Sequence, residues 1–319
     1  MRTRSRKTPG RWATLVTVWL GCCLVGLAPV LAAEAKALRI IVVYDKQEAE
    51  AIRKQLLQGA SFSALAGTKS LGPARRFWGY SGMVKPEEVQ PALRTVLRKL
   101  REGQISEVLK LGQRYVILKV ISPQIEQHIQ AADAASEQGH TEVALRELQA
   151  ALRLEKDNIE VLLRLGVVYD EAQQYEEALK YLEQAQRYAP TATRITMLRG
   201  AVYTRAAIAR KRARYARQAI QAYRQALARD QRLAPAVHFG LGKVYLLALR
   251  QPRKALPHLE KAAAITPRVP EVHRLLIQAY YDTKRYERAW QHLRLAQSLG
   301  YEFPDLLKAL HKIKRKKKR

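Results

Sequence analysis

Small and apolar residues recur at helical spacing through residues 159–192. Gly166 and Tyr169 lie on one face of a predicted helix, and Ala178 and Leu182 lie on one face of the next. The small side chains allow the two helix backbones to approach closely, and the larger ones fill the space between them. The pattern predicts an antiparallel helix pair, which needs neighbouring copies to bury its apolar face.

Five copies of this pattern occupy residues 125–303. In the third copy, 19 residues separate the small residues of the two helices instead of 12, which indicates a seven-residue insertion, and the fourth copy has one extra residue. The insertion, within residues 205–217, predicts a helical hairpin that is longer by about two turns. The pattern resembles the tetratricopeptide repeat, a helix pair of roughly 34 residues.

This resemblance implies an all-α solenoid that docks a protein partner on the inner face of each first helix. Repeat spacing places Asp170 on that face together with a mixed apolar and basic set. The members of that set are Arg194, Met197, Phe239, Lys243, Arg274, Gln278 and Tyr281. Arg194, Lys243 and Arg274 suit an acidic partner segment, and each also fits a solvated surface cation, so both interpretations stay open.

A different pattern covers residues 36–122. β-branched residues predict strands at 38–44 and 114–121, and helical periodicity predicts helices at 46–59 and 86–101, with a short helix between them. These elements together predict a small α+β domain before the all-α array.

The segment that closes this domain is its most specific part. Gly103, Ile105 and Glu107 precede the last strand, which contains Tyr115 and Leu118. With the order of the preceding elements, these residues resemble a parvulin-type peptidyl-prolyl isomerase domain. The resemblance implies a surface that holds a proline-containing or apolar peptide segment.

The places of the family's usual catalytic residues are occupied by other residue types. Family members that catalyse usually carry histidines in the first and last strands and an Asp or Cys in the glycine-rich middle, where this chain has Arg39, Val116 and Phe77. The resemblance therefore implies a degenerate domain with no catalytic residue. An active isomerase with an altered site is the alternative.

Four residues of the middle segment are candidates for an apolar peptide-binding groove. They are Phe77, Trp78, Tyr80 and Met83. The alternative is that these side chains pack in the core of the sheet.

Residues 1–35 have the three parts of an export signal. Five Lys or Arg lie in residues 1–11, residues 12–33 carry no charge, and small residues follow. An uncleaved anchor is the alternative, since 22 uncharged residues are long enough to cross a bilayer. Both interpretations place the body outside the cytoplasm, in the periplasm or cell envelope.

The positive charge of the chain limits the classes of partner that it is expected to bind. The formal net charge is +29, and residues 312–319 alone hold seven Lys or Arg. Residues 304–319 are predicted to form a capping helix followed by a basic tail. The tail and the hairpin of the third copy favour an anionic membrane surface or envelope polymer. Nucleic acid is disfavoured because it would require a cytoplasmic location.

No phosphate-binding loop, dinucleotide fingerprint or metalloprotease motif occurs in the sequence, so we expect no cofactor and no metal. Cys22 and Cys23 are the only cysteines, and both lie in the uncharged N-terminal run. The sequence therefore predicts an exported protein-interaction scaffold or chaperone-like module. Its repeats would dock a partner, and its isomerase-like domain would hold a peptide.

Overall fold

The structure, a computed structural model, describes residues 35–317, with side chains through residue 314. Contacts divide the chain into two units, residues up to 126 and residues from 127 onward, and each is described by itself. The uncharged run at 12–33 lies outside the described residues. Within residues 35–317, no helix is both long and apolar enough to cross a bilayer.

The first unit is built on a four-stranded antiparallel sheet with the order β2-β1-β4-β3. Its strands are β1 (Lys36–Val43), β2 (Tyr80–Val84), β3 (Leu109–Leu111) and β4 (Arg114–Ile121). Its helices are α1 (Lys46–Leu57), α2 (Phe62–Lys69) and α3 (Pro91–Lys99). The two long, β-branched strands pair at the centre, where neighbours on both sides supply hydrogen-bond partners.

Alternate side chains of the central strands feed two separate cores. Val42 and Leu118 pack with Leu97 of α3 on one face of the sheet. On the other face, Ile41 packs with Ile52 of α1. Because successive strand residues point to opposite faces, the nearly continuous apolar sequence of β1 is what a sheet covered on both sides requires.

Two details of this unit differ from the sequence prediction. The short strands β2 and β3 were not predicted, because neither has a run of β-branched residues long enough to stand out. The helix predicted at 86–101 is interrupted, with a 3₁₀ turn at Pro86–Glu88 and α3 starting at Pro91. Gln90 is extended (φ −57°, ψ 147°) because a following proline disfavours the helical conformation.

The second unit is a run of antiparallel helix pairs. Its helices are α4 (Pro123–Glu137), α5 (Thr141–Leu154), α6 (Ile159–Glu171), α7 (Tyr175–Tyr188), α8 (Thr193–Arg210), α9 (Ala213–Arg229), α10 (Ala234–Lys243), α11 (Pro252–Ile265), α12 (Pro270–Asp282), α13 (Tyr286–Ser298) and α14 (Pro304–Lys317). Helices α4 to α13 form five successive pairs, called repeats 1 to 5 here; a hydrogen bond between His128 and Glu147 joins the first pair, and α14 packs on the last. The fold class predicted from the sequence, α+β followed by an all-α array, is confirmed.

Each repeat turns between its two helices at a residue in the left-handed conformation. These residues are Gly139 (φ 75°), Gln173 (φ 60°), Lys211 (φ 52°), Arg250 (φ 52°) and Lys284 (φ 61°). In repeats 2 and 5, the amide one residue later donates to the carbonyl oxygen of a helix tyrosine, at 2.8 Å from Gln174 to Tyr169 and from Arg285 to Tyr280. This bond satisfies a carbonyl that the helix end would leave unpaired.

The predicted close approach of helices at small residues is confirmed. A Cβ placed on Gly166 would lie 2.8 Å from the Leu182 side chain and 3.5 Å from the Ala178 carbonyl oxygen. The ring of Tyr223 lies between Gly200 and Gly240, where added Cβ atoms would come within 2.8 Å and 2.4 Å of it. Packing, rather than backbone conformation, therefore favours a small residue at these positions.

The two sequence insertions are accommodated in different ways. Repeat 3 lengthens both of its helices, to 18 residues in α8 and 17 in α9, against 13 and 14 in repeat 2. The extra residue of repeat 4 lies within a π-helical turn at Val244–Ala248. This widened turn lets the amide of Gln251 reach the carbonyl oxygen of Tyr245 at 2.7 Å, the counterpart of the bond in repeats 2 and 5.

Candidate functional site

The first-strand position that is histidine in catalytic relatives holds a buried arginine. Arg39 is 1% exposed, on the central strand β1. Its Nη1 donates a hydrogen bond to the carbonyl oxygen of Trp78 at 2.7 Å. A guanidinium has donors and no accepting lone pair, so this side chain cannot accept a hydrogen bond as a neutral imidazole can.

Arg39 lies in a small polar cluster with Tyr80 and Glu126. Burial raises the pKa of the Tyr80 phenol well above its ordinary value, the Glu126 carboxylate raises that pKa further, and Arg39 lowers it. The phenol therefore stays protonated at neutral pH. This cluster can orient a polar group, and its Tyr80 phenol can donate a hydrogen bond.

The other two substituted positions do not restore this chemistry. Val116 is 1% exposed and packs in the core beside β1. Phe77 is 51% exposed and ends the 3₁₀ turn at Pro73–Phe77. Neither the buried Val116 side chain nor the exposed Phe77 ring can form a hydrogen bond to a peptide bond that is twisting between its cis and trans forms.

The four candidate groove residues are divided between core and surface. Trp78 is buried, and its ring covers Gly67 so closely that an added Cβ there would lie 2.1 Å from it. Tyr80 is partly buried, and Met83 lies on the edge strand β2 and is exposed. Of the four residues, Phe77 and Met83 therefore expose apolar side chains that a ligand could contact. Trp78 is a core residue that packs on Gly67.

In the repeat array, the predicted groove residues of repeats 4 and 5 share one neighbourhood. Phe239 and Tyr281 both pack against the core cluster of these repeats. The Lys243 ammonium lies 5.4 Å from the centre of the Phe239 ring. The result is an aromatic surface with a cation held over it.

The remaining polar members of the predicted groove are engaged within the array. Arg274 forms two hydrogen bonds to the Glu271 carboxylate, at 2.7 and 2.8 Å. These bonds lower the pKa of Glu271, and Lys243 adds to the effect. Gln278 donates to Asp282 at 2.7 Å. An acidic partner would thus meet Lys243 directly, whereas it would have to displace Glu271 to reach Arg274.

The earlier members of the set have different environments. Arg194 is exposed and Met197 is partly buried, both on α8. Asp170 was expected on the open inner face, and that prediction is wrong because Asp170 is only 3% exposed. Arg205 of α8 covers it with two hydrogen bonds, one of 2.8 Å from Nε to Oδ1. Asp170 therefore joins two repeats and does not face a partner.

Charge is distributed unevenly along the array, a feature that the motifs and repeats did not reveal. Residues 123–183 contain thirteen acidic residues and five Lys or Arg, whereas residues 184–259 contain one acidic residue and sixteen Lys or Arg. A count of charge by segment would have found this. Within residues 35–317, no group of three or more His, Cys, Asp or Glu is arranged to hold a metal ion.

Comparisons with protein families match both units. The family described as "PPIC-type PPIASE domain" matches residues 36–122. The family described as "Tetratricopeptide repeat" matches residues 135–202 and 246–311. No curated protein matches the chain.

Several solved structures are similar to part of this chain. PilF of Pseudomonas aeruginosa is 20% identical, with a TM-score of 0.50 over 61% of this chain and 86% of that one. MamA of Desulfovibrio magneticus RS-1 is 19% identical, with a TM-score of 0.48 over 56% of this chain and 96% of that one. A thermophilic repeat protein of Thermus thermophilus is 21% identical, with a TM-score of 0.47 over 59% and 97%. At these identities, the similarity concerns the fold alone.

Proposed function

Because this chain joins a PPIC-type PPIase domain to an array of tetratricopeptide repeats, we propose that it is an exported scaffold of the cell envelope with a chaperone-like peptide-holding domain. Tetratricopeptide repeats generally mediate protein–protein interaction, so the array is a protein-interaction scaffold.

One observation carries the proposal that the first domain binds without catalysing. The position of the first-strand histidine is filled by Arg39, whose guanidinium is buried against the Trp78 carbonyl oxygen. Peptide bond isomerisation has a barrier of about 18–20 kcal/mol, and catalysis requires groups that favour the twisted amide over the planar one. The residues at the three substituted positions supply no such group, while Phe77 and Met83 still expose apolar surface.

A proline-peptide isomerisation assay on the full chain tests this assignment. We expect the rate to equal that in buffer, and a peptide with apolar flanking residues to bind more weakly when Phe77 and Met83 are both replaced by Ser. Acceleration above buffer that disappears in Tyr80→Phe or Met83→Ser would instead support the alternative, an active isomerase with an altered site.

The docking role of the repeats is tested with variants matched in charge. The groove variant replaces Arg194 and Lys243 by Gln, and the control variant replaces Arg253 and Lys254, two exposed cations of α11, by Gln. Full-length proteins are used to capture partners from envelope extract. Partners retained by the control and lost by the groove variant would support the proposed surface. Identical sets from both variants would contradict it.

The proposed location is tested by fractionating the native protein. An export signal or anchor at residues 1–35 predicts recovery with the periplasm or membrane. Recovery of the mature chain in the cytosol would contradict the proposal.

A further inference from the structure

The third repeat combines a lengthened hairpin with an excess of positive charge. Residues 184–229, which include α8 and α9, contain eleven Lys or Arg and no acidic residue. Cations that lie near one another on a helix repel and destabilise it. Helix formation therefore does not explain this excess of positive charge. The array uses some of these cations in its own ion pairs.

Three of the cations are held by acidic residues of repeat 2. Arg205 pairs with the buried Asp170, Arg199 approaches Glu183 at 3.6 Å, and Arg210 approaches Glu176 at 4.0 Å. Glu176 also accepts a hydrogen bond from the Tyr215 hydroxyl at 2.8 Å, and this bond lowers the pKa of the carboxyl group. These contacts account for the cations that hold the hairpin to its neighbour.

Four other exposed cations define what we call the basic surface: Lys211, Arg212, Arg217 and Arg224. Within the described part of the chain, none of the four forms an ion pair, and Arg212 is close enough to Glu176 only to add to its electrostatic environment. Arg217 and Arg224 are seven residues apart, so they lie on one side of α9. The surface thus runs from the hairpin tip along the outside of the helix.

The positive field of this surface reaches the next repeat. Burial lowers the pKa of His258 on α11, and His238, Lys261 and Arg224 lower it further. Lys261 is itself exposed on α11. Arg224 therefore lies near His258 and Lys261 of α11, where the adjacent Glu260 is engaged by Tyr280 and Arg288.

The chemistry of these residues selects a phosphate-bearing partner. Three of the four members are arginines, whose planar guanidinium groups bind phosphate oxygens in pairs. Elsewhere in the sequence, 22 uncharged residues follow five cations at the N-terminus, and residues 312–319 hold seven more cations. An apolar segment preceded by cations favours a bilayer over a nucleic acid as the source of the phosphates.

We propose that the basic surface of repeat 3 binds the phosphate headgroups of an anionic phospholipid bilayer. This inference rests on the proposed envelope location, because that location brings the array within reach of such a surface. Each cation near an anionic bilayer adds to the attraction, and the sum is screened by salt.

The test is cosedimentation of the full chain with vesicles of phosphatidylcholine alone or mixed with phosphatidylglycerol. The apolar N-terminal segment acts in both kinds of vesicle, so the ratio of the two affinities reports the electrostatic part. In the surface variant, Lys211, Arg212, Arg217 and Arg224 are all replaced by Gln. The control replaces four exposed cations of the first unit by Gln, namely Lys69, Lys99, Arg101 and Lys110.

We expect the preference for phosphatidylglycerol vesicles to fall by at least about tenfold in the surface variant and to change by less than about twofold in the control. Equal losses in both variants would overturn the inference, because net charge alone would then explain binding. Tighter binding to a DNA duplex than to the vesicles, lost in the surface variant, would also overturn it. Fractionation tests export separately, so a cytosolic protein that still binds vesicles through this surface would contradict only the proposed location.

Discussion

The contact between Tyr223 and two glycines shows how single residues control the spacing of the repeats. The ring is almost fully buried between Gly200 of its own repeat and Gly240 of the next. A tyrosine ring is rigid beyond its two side-chain torsions, so it cannot move aside without displacing a helix. The side chain facing Gly166, by contrast, is the flexible Leu182.

This difference predicts unequal effects of the same substitution. Gly240→Ala should destabilise the array by about 1–2 kcal/mol, because overpacking costs about 1–3 kcal/mol and the gain in helix propensity offsets up to about 1 kcal/mol. Gly166→Ala should be nearly neutral because Leu182 can change rotamer. Urea unfolding of both variants measures the difference, and equal losses would show that the rigidity of the ring is not the cause.

A second recurring contact stacks a ring of the second helix on a tyrosine of the first. The pairs are Tyr169 with Tyr181 at 5.4 Å, Tyr245 with His258 at 5.7 Å and Tyr280 with His292 at 5.3 Å. In repeats 4 and 5 the stacked ring is therefore ionisable. Burial lowers the pKa of both histidines, with His238 adding to the effect at His258 and His273 adding to it at His292.

These lowered pKa values predict a loss of stability in acid. A histidine whose pKa is lower in the folded than in the unfolded state binds fewer protons when folded, so the free energy of unfolding decreases as the pH falls below about 6.5. Replacing His258 and His292 by Tyr, as in repeat 2, should reduce this decrease. Denaturant unfolding between pH 7.5 and 5 measures it, and an unchanged pH profile would contradict the assignment to these rings.

At the scale of residues, the sequence indicated which residues stand at the candidate positions better than it indicated their burial and contacts. The prediction that Arg39, Phe77 and Val116 occupy the places of the parvulin-type catalytic residues needed no structure, and it stays a prediction. The burial of Arg39 against the Trp78 carbonyl oxygen was not, because a strand pattern does not show which loop covers a strand residue. Likewise, repeat spacing located Asp170 on its helix but could not reveal the arginine that arrives from the next repeat.

At the scale of elements, the ion pair between Asp170 and Arg205 joins α6 to α8. The Asp170 side chain is 2% exposed and the Arg205 side chain is 51% exposed, so the carboxylate depends on this partner for compensation. A surface ion pair of the same kind, Arg274 with Glu271, has side chains that are 43% and 41% exposed.

We predict that Arg205→Gln destabilises the array by about 2–3 kcal/mol, because it leaves a buried carboxylate without a charged partner. Asp170→Asn in the same chain should recover part of that loss. Arg274→Gln should cost less than about 1 kcal/mol because water screens the exposed pair. A double-mutant cycle by chemical unfolding measures the coupling, and additive effects at positions 170 and 205 would show that the pair carries no interaction energy.

The sequence predicted long elements well and short ones poorly. Helices of the repeats are long and strongly periodic, so their positions and the lengthened hairpin were recognised. The strand β2 has only five residues and includes Gly82, and it becomes a strand because β1 supplies hydrogen-bond partners. Such partners come from tertiary structure, so local pattern alone does not identify this strand.

At the scale of the whole molecule, charge is separated along the array. With an excess of acid in residues 123–183 and of base in residues 184–259, the three ion pairs to repeat 2 compensate only part of the repulsion among the cations of repeat 3. Added salt screens that repulsion, and at 1 M the Debye length is about 3 Å.

Thermal stability should therefore rise with salt. We expect the unfolding midpoint of the full chain to increase by about 2–4 °C between low and high NaCl, which corresponds to roughly 1 kcal/mol in a domain of this size. The variant with Gln at 211, 212, 217 and 224 should show a smaller increase. Calorimetry at several NaCl concentrations is the measurement, and Na₂SO₄ is avoided because sulfate also strengthens apolar burial. A midpoint that falls with salt would contradict this picture.

The π-helical turn at Val244–Ala248 shows how a repeat can accommodate a change in length. One added codon is absorbed inside a helix, while the left-handed residue Arg250 and the bond from Gln251 to Tyr245 are kept. The helices that follow the turn therefore keep the orientation relative to α10 that they would have without the extra residue. At this point of the array, the fold accommodates one additional amino acid without reordering the helices that follow.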